Sequence, residues 1–93
     1  MEERVYYIKD KDIILNNEEL KMKGFSFENA GVVGYKDEGF VFLFKAEKEW
    51  FKEAKIEKIK GIEEIKEKKD KEKVIQKFKD LEENQTAGIG GLF

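Results

Sequence analysis

The chain has 93 residues, 43% of them charged and 40% hydrophobic, with a net charge of −2. That length suits one small domain, and the lack of Cys and His excludes disulfides, thiolate metal sites and the commonest general base. Residues 1–44 hold 6 basic and 9 acidic groups and residues 45–93 hold 13 and 12, so neither half is the basic module that phosphate binding draws on.

Residues 4–9 (RVYYIK) are rich in β-formers and predict a first strand. Asp10-Lys11-Asp12 is polar punctuation, and Ile13-Ile14-Leu15 reads as a second short strand, so that the two form a hairpin. After Asn16-Asn17-Glu18-Glu19, the residues Leu20, Met22, Phe25 and Phe27 alternate with polar or small residues. That period of two predicts another strand, with Gly24 at a bulge where the face switches. Val32-Val33-Gly34-Tyr35 and Phe40–Phe44 flank Lys36-Asp37-Glu38-Gly39, which reads as a β-hairpin with a four-residue loop. The run FVFLF is apolar on both faces, which places it centrally in the sheet, covered on both sides.

At Lys45 the period changes. Ala46, Trp50, Phe51 and Ala54 lie at helical spacing and predict a short amphipathic helix over residues 46–54. Residues 55–60 read as a further short strand, with Gly61 as a break. Val74, Ile75, Phe78 and Leu81 form one helical face. At about 100° per residue, Ile62 and Ile65 point the opposite way from these four. A break is therefore expected within Lys66–Lys73, then a helix over 71–84 with Asp70 as its N-cap and Asn84 as its αL end. The alternating signs of Lys66–Lys73 suit an exposed face rather than a phosphate site.

The expected fold is thus α+β: an antiparallel sheet of four to five strands within residues 4–45, a possible further strand at 55–60, and helices at 46–54 and 71–84 packed on one face. If both helices lie on one face, the other face of FVFLF needs cover, which a homodimer would supply. A β-rich edge near the N-terminus offers a second route to pairing. Residues 1–84 form the domain and 85–93 (QTAGIGGLF) a Gly-rich tail, uncharged in its side chains.

That tail is one candidate site. A segment with an apolar end and a carboxylate suits capture by a groove on another protein or by a second copy, through Ile89, Leu92 and Phe93. The competing expectation is that it folds back on its own core. A second candidate is Lys23-Gly24-Phe25-Ser26-Phe27, which resembles the start of the RNP1 stretch of RNA-recognition domains. There a basic residue and Gly precede aromatics that stack on bases. The resemblance implies a nucleic-acid face at Lys23, Phe25 and Phe27. It departs from the pattern at Glu28 and Ala30, and the helix-separated strand order of such domains is missing. A cluster of Asp10, Asp12, Glu18 and Glu19 lacks the order of a calcium loop and reads as a solvated turn. Ser26 and Thr86 are the only hydroxyl nucleophiles of their kinds, with no His to activate them.

The sequence therefore points to a non-enzymatic protein-interaction module, self-associating or bound to a protein partner. It implies no cofactor and no metal. Single-stranded nucleic-acid binding is the alternative. No apolar run is long enough to span a membrane, the N-terminal order is not that of a signal peptide, and the expected location is the cytoplasm. Lys and Glu enrichment without Cys resembles hyperthermophile usage.

Overall fold

The computed structural model describes the backbone of residues 1–92 and the side chains of residues 1–82. Four strands, β1 (Glu2–Ile8), β2 (Ser26–Asn29), β3 (Phe40–Ala46) and β4 (Glu63–Glu64), form one antiparallel sheet in the order β2-β3-β1-β4. Helices α1 (Asp12–Leu15), α2 (Glu18–Lys23), α3 (Lys48–Ala54) and α4 (Lys68–Leu92) complete the chain, with a 3₁₀ turn at Ile56–Lys58. The α+β class and the antiparallel sheet of four strands are those expected. FVFLF is central, as its apolarity on both faces requires.

Alternation along β1 and β3 divides the core in two. Val5, Tyr7, Val41 and Leu43 point to one face, where Val74 and Phe78 of α4 join them, together with Ala30, Val33 and Ile65. Tyr6, Ile8, Phe42, Phe44 and Ala46 point to the other, where they meet Ile14 of α1, Leu20 of α2, Phe51 of α3 and Ile56 of the 3₁₀ turn. The two helices expected on one face therefore lie on opposite faces. The face thought to need a second copy is covered by α1, α2, α3 and the 3₁₀ turn of the same chain. The expected pairing edge near the N-terminus is covered only in part, because β4 pairs with β1 at Tyr6 and Tyr7 and Ile65 adds one bond to Val5.

Several elements differ from their sequence expectation. Ile13-Ile14-Leu15 is a helical turn; Asp10 Oδ1 accepts the Asp12 N–H at 3.0 Å and starts it. Leu20 and Met22 are helical. Asn17 caps α2 by accepting the Leu20 N–H at 3.2 Å, Glu18 and Glu19 fill its first turn, and Gly24 at φ 85° ends it. The apparent period of two was coincidental, since Met22 is 89% exposed. Residues 30–35 form turns rather than a strand, so the hairpin joins β2 to β3 through residues 30–39. Gly39 closes that loop at φ 91°, where a Cβ would lie 2.6 Å from the Tyr7 ring. Tyr7 donates its hydroxyl to the Glu38 carbonyl at 2.9 Å, which fixes the loop over β1.

Residues 55–60 form the 3₁₀ turn rather than a strand, and the fourth strand comes later, at Glu63–Glu64. The break ahead of the last helix falls inside the expected window. Asp70 lies within the first turn of α4 rather than at its N-cap. The helix continues past Asn84 to Leu92; Gly costs a helix about 1 kcal/mol relative to Ala but does not bar it.

Candidate functional site

The most distinctive surface is the outer edge of β2. Its inner edge pairs with β3, Ser26 opposite Leu43 and Glu28 opposite Val41. In the same register the Ala30 N–H donates to the Gly39 carbonyl at 2.9 Å. Antiparallel strands alternate hydrogen-bonded and non-bonded pairs, so Ser26, Glu28 and Ala30 turn their backbone groups toward β3. Those of Phe25 and Phe27 face outward, with no hydrogen-bond partner among the described residues. The edge closes at Asn29, whose N–H donates to Glu28 Oε1 at 3.1 Å and whose carbonyl accepts the Val32 N–H at 3.0 Å.

Aromatic rings line one side of this edge. Phe27 lies opposite Phe42 and stacks on it, with centroids 5.0 Å apart and an interplanar angle of 15°. Phe25 meets Phe42 and Phe44 at 5.2 and 5.4 Å. Phe42 and Phe44 are buried, whereas Phe27 stays 40% exposed. Lys23 Nζ lies 5.7 Å from the Trp50 ring centroid, which brings a cation to the same rim.

On the other side of β2, two shallow grooves of about 270 and 290 Å³ run between the strand and α4. Ser26 and Glu82 border both, with Phe78 and Leu81 along one and Lys23 and Lys45 along the other. The basic side chains thus gather at the N-terminal end of β2, and Glu28 stands toward its C-terminal end.

Lys23, Phe25 and Phe27, singled out from the sequence, do come together here. They sit at a sheet edge rather than on an open sheet face, because α1 to α3 cover the face. Sequence periodicity does not reveal which strand is outermost; that follows from the strand order, which puts β2 at one end of the sheet. The side chains of Ile89 and Leu92, and Phe93 entirely, lie outside the described residues. Among the described residues no three potential metal-ligating side chains converge. Asp10, within the acidic cluster noted in the sequence, serves the Asp12 N–H. No helix among the described residues is long and apolar enough to cross a membrane.

The chain matches no protein-family model, and no curated protein or solved structure is significantly similar to it.

Proposed function

We propose that the chain is a small non-enzymatic protein-interaction module that self-associates by pairing its β2 edge with that of a second copy. The observation behind this reading is the outward backbone of Phe27, unpaired among the described residues, in a residue that is 40% exposed. An open strand edge is a template for another strand. A two-fold axis through Phe27 would let the two Phe27 residues exchange both backbone hydrogen bonds and bring their rings together. In that register Ser26 of each copy faces Glu28 of the other, so no like charges oppose each other. It also sets the basic N-terminal end of one β2 alongside the Glu28 end of the other. The tail residues Ile89, Leu92 and Phe93 are proposed as a further contact segment. A reducing compartment suits a chain without Cys, and we place it in the cytoplasm.

Light scattering across a concentration series tests the reading. The wild type should approach twice the monomer mass, and Phe27→Glu should remain monomeric with an unchanged circular dichroism spectrum. Met22→Lys, which alters an exposed apolar residue off the edge, should leave the mass unchanged. A wild type that stays monomeric at high concentration overturns self-association. Truncation after Asn84 separates the tail from the edge, since loss of the dimer on truncation alone would transfer the contact to the tail.

A second reading has one observation in its favour: Lys23, Phe25, Phe27 and Trp50 share a rim, as a stacking platform for single-stranded nucleic acid requires. Against it, Phe42 and Phe44 are buried, and Glu28 and Glu82 border the adjoining groove. Anisotropy of a labelled oligonucleotide at low salt decides the matter, and an unchanged signal removes this reading.

A further inference from the structure

The opposite edge of the sheet holds a different kind of site. β4 pairs with β1 at two positions, Tyr6 with Glu64 and Tyr7 with Glu63. The Ile65 N–H extends the ladder by donating to the Val5 carbonyl at 2.9 Å. Continued the other way, this register would set Gly61 opposite Lys9. Gly61 instead turns away at φ 83°, and no backbone hydrogen bond joins the two residues. By alternation the N–H and C=O of Lys9 face the gap so created. The gap opens into a cleft of about 570 Å³, larger than either groove beside β2.

Ile13, 40% exposed, gives this cleft its accessible apolar side chain, and Tyr7 and Ile8, which turn to opposite faces of the sheet, border it at the strand edge. Lys9, Lys36 and Lys60 stand around it, with the carboxylates of Asp10 and Glu63. Most of these charges already have work. Lys36 Nζ lies 3.6 Å from the Glu63 carboxylate and 4.5 Å from the Tyr7 ring centroid. Asp10 accepts the Asp12 N–H. Lys9 and Lys60 make no ion pair among the described residues. A concave, largely apolar site with a few convergent polar groups is the usual form of a small-molecule pocket. Three cations against two carboxylates leave one net positive charge, which fits a monoanion and is too little for a polyphosphate.

We propose that this cleft binds a small amphipathic monoanion, an aliphatic or aryl carboxylate. Its apolar body rests on Ile13 and along the sheet edge at Tyr7 and Ile8, and its carboxylate turns toward Lys9, Lys60 and the open Lys9 N–H. A peptide strand is the poorer fit here, because Lys9 is the one residue between the end of β1 and the Asp10 turn. The site is separate from the β2 edge, so Phe27→Glu leaves it intact.

The test is a titration of ¹⁵N-labelled full-length protein with decanoate below its micelle concentration, followed by amide shifts. Acetate, decanol and decyltrimethylammonium serve as head-only, body-only and opposite-charge probes. Decanoate should shift the amides of residues 7–13 and 60–63, with at least tenfold tighter binding than any of the three controls. Lys9→Glu and Lys60→Glu, both at exposed positions, should each weaken decanoate about tenfold while the remaining spectrum stays in place. Equal binding of the cationic amphiphile, shifts centred elsewhere, or unchanged affinity in both Lys variants overturns the proposal. Phosphatidylglycerol vesicles distinguish a free acid from a membrane surface. Sedimentation with vesicles in the absence of any decanoate response also overturns it.

Discussion

The two faces of the sheet are covered in opposite ways. On one, the helix α4 lays down Val74, Phe78 and Leu81 in succession, so most of its cover comes from one long element, with Ala30 and Val33 of the β2–β3 loop beside it. On the other, α1, α2, α3 and the 3₁₀ turn each contribute one fully buried anchor, Ile14, Leu20, Phe51 and Ile56. The residues beneath are aromatic on this second side, with Tyr6, Phe42 and Phe44 all buried. A patchwork of short pieces closes over large flat rings, and each piece depends on its own anchor and cap. Such pieces open locally at lower free energy than a helix locked along its length.

The largest expected effect is that of Phe44→Ala, which removes a ring from beneath the patchwork and should cost about 3–5 kcal/mol. Phe78→Ala, the counterpart under α4, should fall at the lower end of that range because Phe78 retains slight exposure. Chemical denaturation of both variants tests the pair, and a greater loss from Phe78 would reverse the ranking of the two faces. Leu20→Ala should cost about 2–3 kcal/mol. Its hydrogen-exchange protection should fall chiefly in residues 12–23; a uniform fall over the whole chain would mean that the patchwork unfolds as one with the sheet.

Asn17→Ala removes the cap of α2 and should cost about 1 kcal/mol, with the same local exchange signature. At neutral pH the smallest effect is that of Tyr6. Burial pushes its hydroxyl up to about 12, with Arg4 pulling the other way. Its oxygen is buried without a hydrogen-bond partner among the described residues. Because the folded value lies above that of the unfolded chain, the stability linked to Tyr6 is complete below about pH 10 and is lost as pH rises toward 12. Thermal melts between pH 9 and 12 should show this fall. Tyr6→Phe should flatten it and, by removing an unsatisfied polar atom, should not destabilise the protein at neutral pH.

The same contrast decides what could be read from the sequence. The α4 face repeats apolar residues at helical spacing, so Val74, Ile75, Phe78 and Leu81 announced their helix, and their angle to Ile62 and Ile65 announced the break before it. FVFLF announced a strand covered on both sides. The patchwork has no repeat long enough to register. One anchor per element gives no period, and Leu20 with Met22 imitated a strand. The usable signal lay in the ends: Asn17, then Glu18 and Glu19, then Lys21, Lys23 and Gly24, which together mark the start and stop of a short helix. At the candidate site, Lys23, Phe25 and Phe27 were visible as a cluster, but their place at an edge followed only from strand order. The cleft at Lys9 and Lys60 left no trace in the sequence, because it depends on where a two-residue strand parts from its neighbour.

The position of β1 has a consequence for synthesis. β1 leaves the ribosome well before β3 and β4, between which it lies. Tyr6 is opposite Phe42 on one side and Glu64 on the other. At about 5–20 residues per second, the earlier of these partners follows Tyr6 by roughly 2–7 s and the later by roughly 3–12 s. During that interval Val5, Tyr6, Tyr7 and Ile8 have no native strand to join, while the α1–α2 pair beside them can already form. Nascent chains that stall before residue 40 should therefore present this β-forming stretch to one another, and crowded polysomes are where the cost of placing β1 between two later strands would be met first.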